Sequence, residues 1–295
     1  MFFLAGSIIF TSMLTLSFKV LQRYGIPVLP TIVFNYLTCV ATGSVVNGSF
    51  PINGNAAQSP WFLWAVLMGC FFISLFNVIG YTTQKMGVAV TSVANKLSLV
   101  IPAVFFILYN GESLHWLKIL GIVLALAAVW LTCYNGNEPG KKPLNALWMV
   151  LLPAILFIGS GALDTIYKFV EEQYLNHENL NAFLITSFAA AGLAGLVILF
   201  IRYGSGKEKF DKRTILAGIL IGIPNYFSIW CLGKVYKQNW MESSAIIPVN
   251  NMGIVLFSTL VAWMLFKEKL SAINWAGILL SLIAIALIAF SGGRI

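Results

Sequence analysis

The sequence predicts an all-α integral membrane protein of ten transmembrane helices, arranged as two inverted repeats of five. Three observations predict it. The chain is 59% hydrophobic and 9% charged, with a mean hydropathy of +0.87, whereas a soluble domain of 295 residues carries about 25% charged residues. Apolar runs of about 20 residues, the length that crosses a bilayer, follow one another along the whole chain. The second half repeats the first: a shift of 149 puts Phe18-Lys19 on Tyr167-Lys168, Gly43 on Gly192, Gly69 on Gly218, Tyr81 on Trp230 and Lys85 on Lys234. A shift of 156 then puts Asn95 on Asn251, Glu112 on Glu268, Leu114 on Leu270 and Gly121 on Gly277. An odd number of spans per half turns the second copy upside down, the architecture of many secondary transporters.

In order, the predicted spans are 2–21, 30–48, 61–83, 89–109, 115–134, 145–168, 180–203, 213–235, 243–266 and 271–290. Turn residues separate them: Gly25-Ile26-Pro27, Asn47-Gly48, Asn53-Gly54, Asn135-Gly136-Asn137 and Gly204-Ser205-Gly206. The repeats run over 1–137 and 144–295, with 138–143 as linker. The first segment lacks a basic leader region and an A-x-A cleavage site, and reads as a retained span. Cys39, Cys70, Cys133 and Cys231 lie inside apolar runs without metal-like spacing, which argues against disulfides and zinc.

The net charge of +8 sits mainly in short connections. It reads as orientation charge and contact with anionic headgroups of the lipid bilayer, not as a nucleic-acid surface. Lys19, Arg23, Lys85, Lys141, Lys142, Arg202, Lys207, Lys209, Lys212, Arg213, Lys267 and Lys269 fall on one side. Lys118, Lys168, Lys234, Lys237 and Arg294 fall on the other. Counted alone, this excess places the first side in the cytoplasm and both termini outside. Much of it comes from the loop 202–213.

Lys96 stands about three residues, or roughly 5 Å, from the middle of the fourth span. A lysine at that depth costs about 2.5–3.5 kcal/mol to insert. It therefore faces the bundle interior, a wet cavity or a carboxylate. It reads as a substrate or coupling-ion contact, against the alternative of a lysine that snorkels or pairs structurally. Asp164 is the acidic residue well inside a span. Lys168 follows at i+4, so the two can pair on one helix face, either as a proton-linked carboxylate or as a structural ion pair. Asp164 aligns with Thr15, so the halves differ there.

Polar stripes mark four spans: Ser74, Asn77, Tyr81 and Gln84 on the third; Thr91, Asn95, Ser98 and Pro102 on the fourth; Asn225, Tyr226, Ser228 and Trp230 on the eighth; Ser244, Pro248, Asn251 and Ser258 on the ninth, with Asn250 alongside. Polar groups in lipid are expensive, so these faces converge on water or on each other. Taken together they outline a cavity; taken singly, each suits hydrogen bonding between helices. Within it, Lys96, Asn77, Tyr81, Asn95, Tyr226, Trp230 and Asn251 are the candidate substrate contacts. Asp164 and Lys168 are the candidate proton-coupling residues. Glu112 and Glu268 read as turn elements near helix N-termini. His115 and His177 lie at span ends. The chain has no Walker loop, HExxH or G-x-S-x-G, so neither ATP-driven transport nor enzyme chemistry is expected, and no cofactor.

The runs ESLHWLKILG (Glu112 to Gly121) and EKLSAINWAG (Glu268 to Gly277), with Pro102 ahead of the first, resemble the drug/metabolite transporter superfamily, specifically its ten-helix EamA type. The resemblance covers nearly the whole chain as two EamA-like repeats. It implies export or exchange of a small polar metabolite, an amino acid or an anionic compound, often coupled to protons. It also implies a multi-pass place in the cell inner (plasma) membrane, with both termini cytoplasmic, and no tight cofactor. That orientation is preferred over the charge count. The chain departs from the pattern at Lys267, where the first half has Gly111, and at Ser258, which aligns with Pro102. The expected protein is thus an alternating-access secondary transporter, monomeric or homodimeric. The competing reading is a component of a lipid or amphiphile flippase, or a non-transporting membrane sensor.

Overall fold

A computed structural model describes residues 1–52, 54–110, 116–133, 145–176, 179–206, 210–238 and 243–290. Glu112, His115, His177 and the linker 138–143 lie outside the described residues. The described residues form twelve helices: α1 (Phe2–Tyr24), α2 (Val28–Asn47), α3 (Gly54–Ala57), α4 (Phe62–Met86), α5 (Val88–Leu97), α6 (Val100–Asn110), α7 (Trp116–Cys133), α8 (Ala146–Tyr174), α9 (Leu180–Gly204), α10 (Arg213–Lys237), α11 (Ser243–Leu265) and α12 (Ala272–Phe290). Among the described residues nine spans are long and apolar enough to cross a membrane, the fourth being α5 and α6 together, and α12 adds a shorter apolar helix. Helices are the expected solution, because a helix satisfies its own backbone groups where lipid offers none. Side-chain hydroxyls follow the same rule. Those of Thr31, Thr38, Ser44, Ser74, Thr83, Thr132 and Ser187 each donate to the carbonyl four residues earlier on the chain.

The chain divides into two compact units. The larger comprises Met1–Lys19, Val78–Asp164 and Phe227–Ile295; the smaller comprises Val20–Asn77 and Thr165–Tyr226. Each unit draws on both sequence halves. The boundaries fall inside α1, α4, α8 and α10, so each of these helices contributes a segment to each unit.

In the smaller unit, α2 packs along α9. A Cβ built on Gly43 would fall 3.0 Å from Ile185, and one on Gly192 would fall 3.7 Å from Tyr36. Tyr36 stacks on Phe72 and Phe188, with ring centroids 6.3 and 6.0 Å away. In the larger unit, α7 packs along α12. A Cβ on Gly121 would fall 2.8 Å from Ile288, and one on Gly277 would fall 2.7 Å from the backbone nitrogen of Thr132. These contacts are reciprocal. The shift of 149 exchanges Gly43 with Gly192 and Tyr36 with Ile185; the shift of 156 exchanges Gly121 with Gly277 and Thr132 with Ile288. An apolar core of Val93, Leu97, Val100, Ala125, Val255, Ile278 and Ile285 ties α5, α6, α7, α11 and α12 together.

The departure at Lys267 has a structural counterpart. Lys267 adopts φ 54°, the left-handed conformation that ends α11. Beyond it the Glu268 N–H turns back to donate to the Ala262 carbonyl at 3.3 Å, which also accepts from Phe266 at 3.1 Å. A side chain is disfavoured there, and glycine is the usual occupant. Lys267→Gly should therefore stabilise the protein by about 0.5–1 kcal/mol. Thermal unfolding of the purified variant checks this, and a lower melting temperature would refute it.

Candidate functional site

The fourth span is broken in its middle. Pro102 has no N–H, so the Ser98 carbonyl lacks its ordinary donor four residues on. The Ile101 N–H donates to it instead at 2.9 Å, closing a tighter turn between α5 and α6. The Ser98 hydroxyl donates to the Asn95 carbonyl. This leaves Asn95 and Lys96 in the last turn of α5, where a cation is favoured by the helix dipole. α8 comes against the break at Gly161, where an added Cβ would fall 2.6 Å from the Cβ of Ile101. Asp164, one turn further along α8, stands close enough to Lys96 for the two opposite charges to interact. Lys96 is half-buried and Asp164 is accessible, although each stands near the middle of its span. The larger unit thus holds opposite charges at a helix break at membrane mid-depth.

The other predicted residues are distributed between the units. Asn251 is buried on α11, next to Asn250, whose side-chain oxygen is buried without a hydrogen bond. About two turns along, Ser258 donates to the hydroxyl of Ser92 on α5 at 2.9 Å. Trp230 sits edge-on to Phe3 and Phe227 at 5.8 and 5.9 Å, and the Lys234 ammonium lies 4.9 Å from its ring centre. Tyr81 is exposed, with Lys85 5.7 Å from its ring centre. All of these belong to the larger unit.

Asn77, Tyr226 and Lys168 belong to the smaller unit. The Asn77 amide donates to the Ile73 carbonyl of its own helix at 2.7 Å, as Ser74 does to Cys70, so much of the α4 stripe is satisfied locally. Tyr226 is buried against α2, where a Cβ on Gly43 would fall 2.9 Å from its ring. Lys168 pairs with Glu172 at 3.8 Å, the i,i+4 pair one turn beyond the expected pairing with Asp164.

Sequence reasoning underread Glu268. It was expected to serve the turn before its own helix; it instead reaches the N-terminus of α5. Its two carboxylate oxygens accept from the Val88 N–H at 2.9 and 3.2 Å, and Oε1 lies 3.0 Å from the Lys19 ammonium. Both side chains are 5% exposed. The available signal was the repeat, which carries Lys19 onto Lys168 and Glu112 onto Glu268.

Comparison with known proteins follows the fold. No family model matches the chain. An uncharacterized protein of Haemophilus influenzae is 25% identical over 274 residues, covering 90% of each chain. The aromatic amino acid exporter YddG of Salmonella typhimurium is 24% identical over 219 residues, covering 72% of this chain and 71% of the exporter. A solved crystal structure covers 100% of this chain and 98% of its own, with a TM-score of 0.63 at 14% identity, and so shares the fold. The chain is a multi-pass helical membrane protein. Its likeness to an exporter, together with nine long apolar spans among the described residues, fits a membrane transporter.

Proposed function

We propose that this membrane protein is a secondary active transporter of the EamA type in the drug/metabolite transporter superfamily. It sits in the cell inner membrane as two inverted five-helix repeats, and it exports or exchanges a small zwitterion of the amino-acid class. The observation that carries the reading is that Lys96 and Asp164, of opposite charge, stand near each other at the break between α5 and α6. Opposite charges at mid-depth are expensive in lipid and are retained where a substrate or ion uses them. Lys96 suits a substrate carboxylate, and Asp164 suits a substrate ammonium or a coupling proton. Asn95 and Asn251 supply neutral polar contacts nearby in the sequence repeat. Trp230, with its aromatic neighbours, offers a face for an apolar side chain. The reciprocal glycine contacts support the inverted repeat, because a two-fold relation makes each contact occur twice. The exporter relative supports the substrate class.

Thermal unfolding of the purified protein against amino acids, nucleotides, sugar phosphates and cationic drugs tests the reading. A ligand at one hundred times its Kd stabilises the folded state by about 2.7 kcal/mol. The expected result is stabilisation by an amino acid that disappears in Lys96→Ala. Stabilisation by a cationic drug alone, unaffected by Lys96→Ala, would count against it.

A further inference from the structure

The N-terminus of α5 is held by a single carboxylate. Glu268 accepts from the Val88 N–H and pairs with Lys19, bringing together α1, the start of α5 and the segment between α11 and α12. Gly87, just before Val88, has φ 101°, and a Cβ placed on it would fall 3.2 Å from both carboxylate oxygens. The carboxylate occupies the space that any side chain would need. The same point is stitched twice more. The Gln84 amide donates to the Phe18 carbonyl at 3.3 Å, next to Lys19, and Leu16, Val88 and Ala262 form a small buried cluster. A carboxylate at a helix N-terminus complements the exposed N–H groups and the helix dipole. Charge buried in low dielectric keeps that place only while both partners remain.

α5 is ten residues long, and Lys96 lies eight residues, or about 12 Å, from the end that Glu268 holds. The far end is the break at Ser98, so α5 is a short rod fixed at one end and hinged at the other. We propose that Lys19 and Glu268 form a positioning latch for α5. Closed, it shields Lys96 from the membrane face at which α4 turns into α5; released, it lets α5 move and admits that face to Lys96. This rests on the reading of Lys96 as the functional lysine. It adds a pair of residues that touch no substrate and act through the helix that carries it.

The test is thiol labelling in sealed vesicles, which needs no transport activity. In a background with Cys39, Cys70, Cys133 and Cys231 replaced by alanine, Lys96→Cys reports access from each face to a membrane-impermeant maleimide. Lys19→Met/Glu268→Gln removes both charges while leaving an acceptor for the Val88 N–H. It should raise labelling from the α4–α5 turn face about ten-fold, the size of a typical coupling between states, and lower labelling from the opposite face. Glu268→Asp keeps the charge but withdraws the carboxylate by one methylene, and should give a smaller rise. A folded double variant with unchanged labelling from both faces overturns the latch. So does failure of the double variant to fold together with unchanged labelling in Glu268→Asp, which assigns the pair a purely structural role. Absence of amino-acid binding with face-specific labelling intact would instead count against the transport reading alone.

Discussion

Glu268→Ala should destabilise the folded protein by about 3–5 kcal/mol, the cost of removing one member of a buried ion pair. Lys19 would keep its ammonium in a site where its side chain is 5% exposed. The Val88 N–H would lose both acceptor oxygens at the same time. Folded proteins hold a margin of about 5–15 kcal/mol, so this one substitution would remove much of it. Replacing both charges is a different experiment. Buried ion pairs are often no more stable than neutral groups of similar volume, so Lys19→Met/Glu268→Gln should unfold close to the parent. Thermal unfolding in detergent, followed by the yield of monodisperse protein, distinguishes the cases. A Glu268→Ala variant as stable as the parent would mean that the pair contributes nothing to the fold.

Lys96→Ala should abolish transport while the protein remains folded. The two effects separate because they draw on opposite terms. Removing the lysine deprives Asp164 of its electrostatic partner, which destabilises. It also removes a cation that costs about 2.5–3.5 kcal/mol to place at mid-depth, which offsets much of that loss. The melting temperature should therefore move little, whereas a carboxylate-bearing substrate loses its anchor. Uptake into proteoliposomes, measured beside thermal unfolding, checks both halves of the expectation. Full uptake by Lys96→Ala would take Lys96 out of the site.

The helical membrane fold was legible because lipid leaves an apolar chain few options. The span limits follow from apolar length, and most observed helices begin or end within a few residues of them. The break inside the fourth span was not legible from hydropathy, which registers apolarity and not the continuity of the hydrogen-bond ladder. Pro102 was the available sign, since the Ser98 carbonyl is the acceptor that it deprives. Lys96 stood out because its depth makes it expensive. Its electrostatic partner did not, because the i,i+4 rule offered Lys168 to Asp164, whereas the fold brings Lys96 from another helix and leaves Lys168 to Glu172. Glu268 was read locally for the same reason. Its partners lie 180 and 249 residues away in the chain, and only tertiary structure joins them. On α4, spacing puts Ser74 and Asn77 on one face, and both donate to carbonyls of their own helix.

The reciprocal packing of α7 on α12 also constrains how this chain can drift. Gly121 is bounded by Ile288, and Gly277 by Thr132. Backbone stands in the way at both places: the Ile288 nitrogen lies 3.1 Å from a Cβ on Gly121, and the Thr132 nitrogen 2.7 Å from one on Gly277. Trimming the facing side chain therefore frees neither glycine, and a larger residue at either place must part the helices. Among relatives of this protein, 121 and 277 should stay glycine together, the imprint, in sequence variation, of one interface used twice.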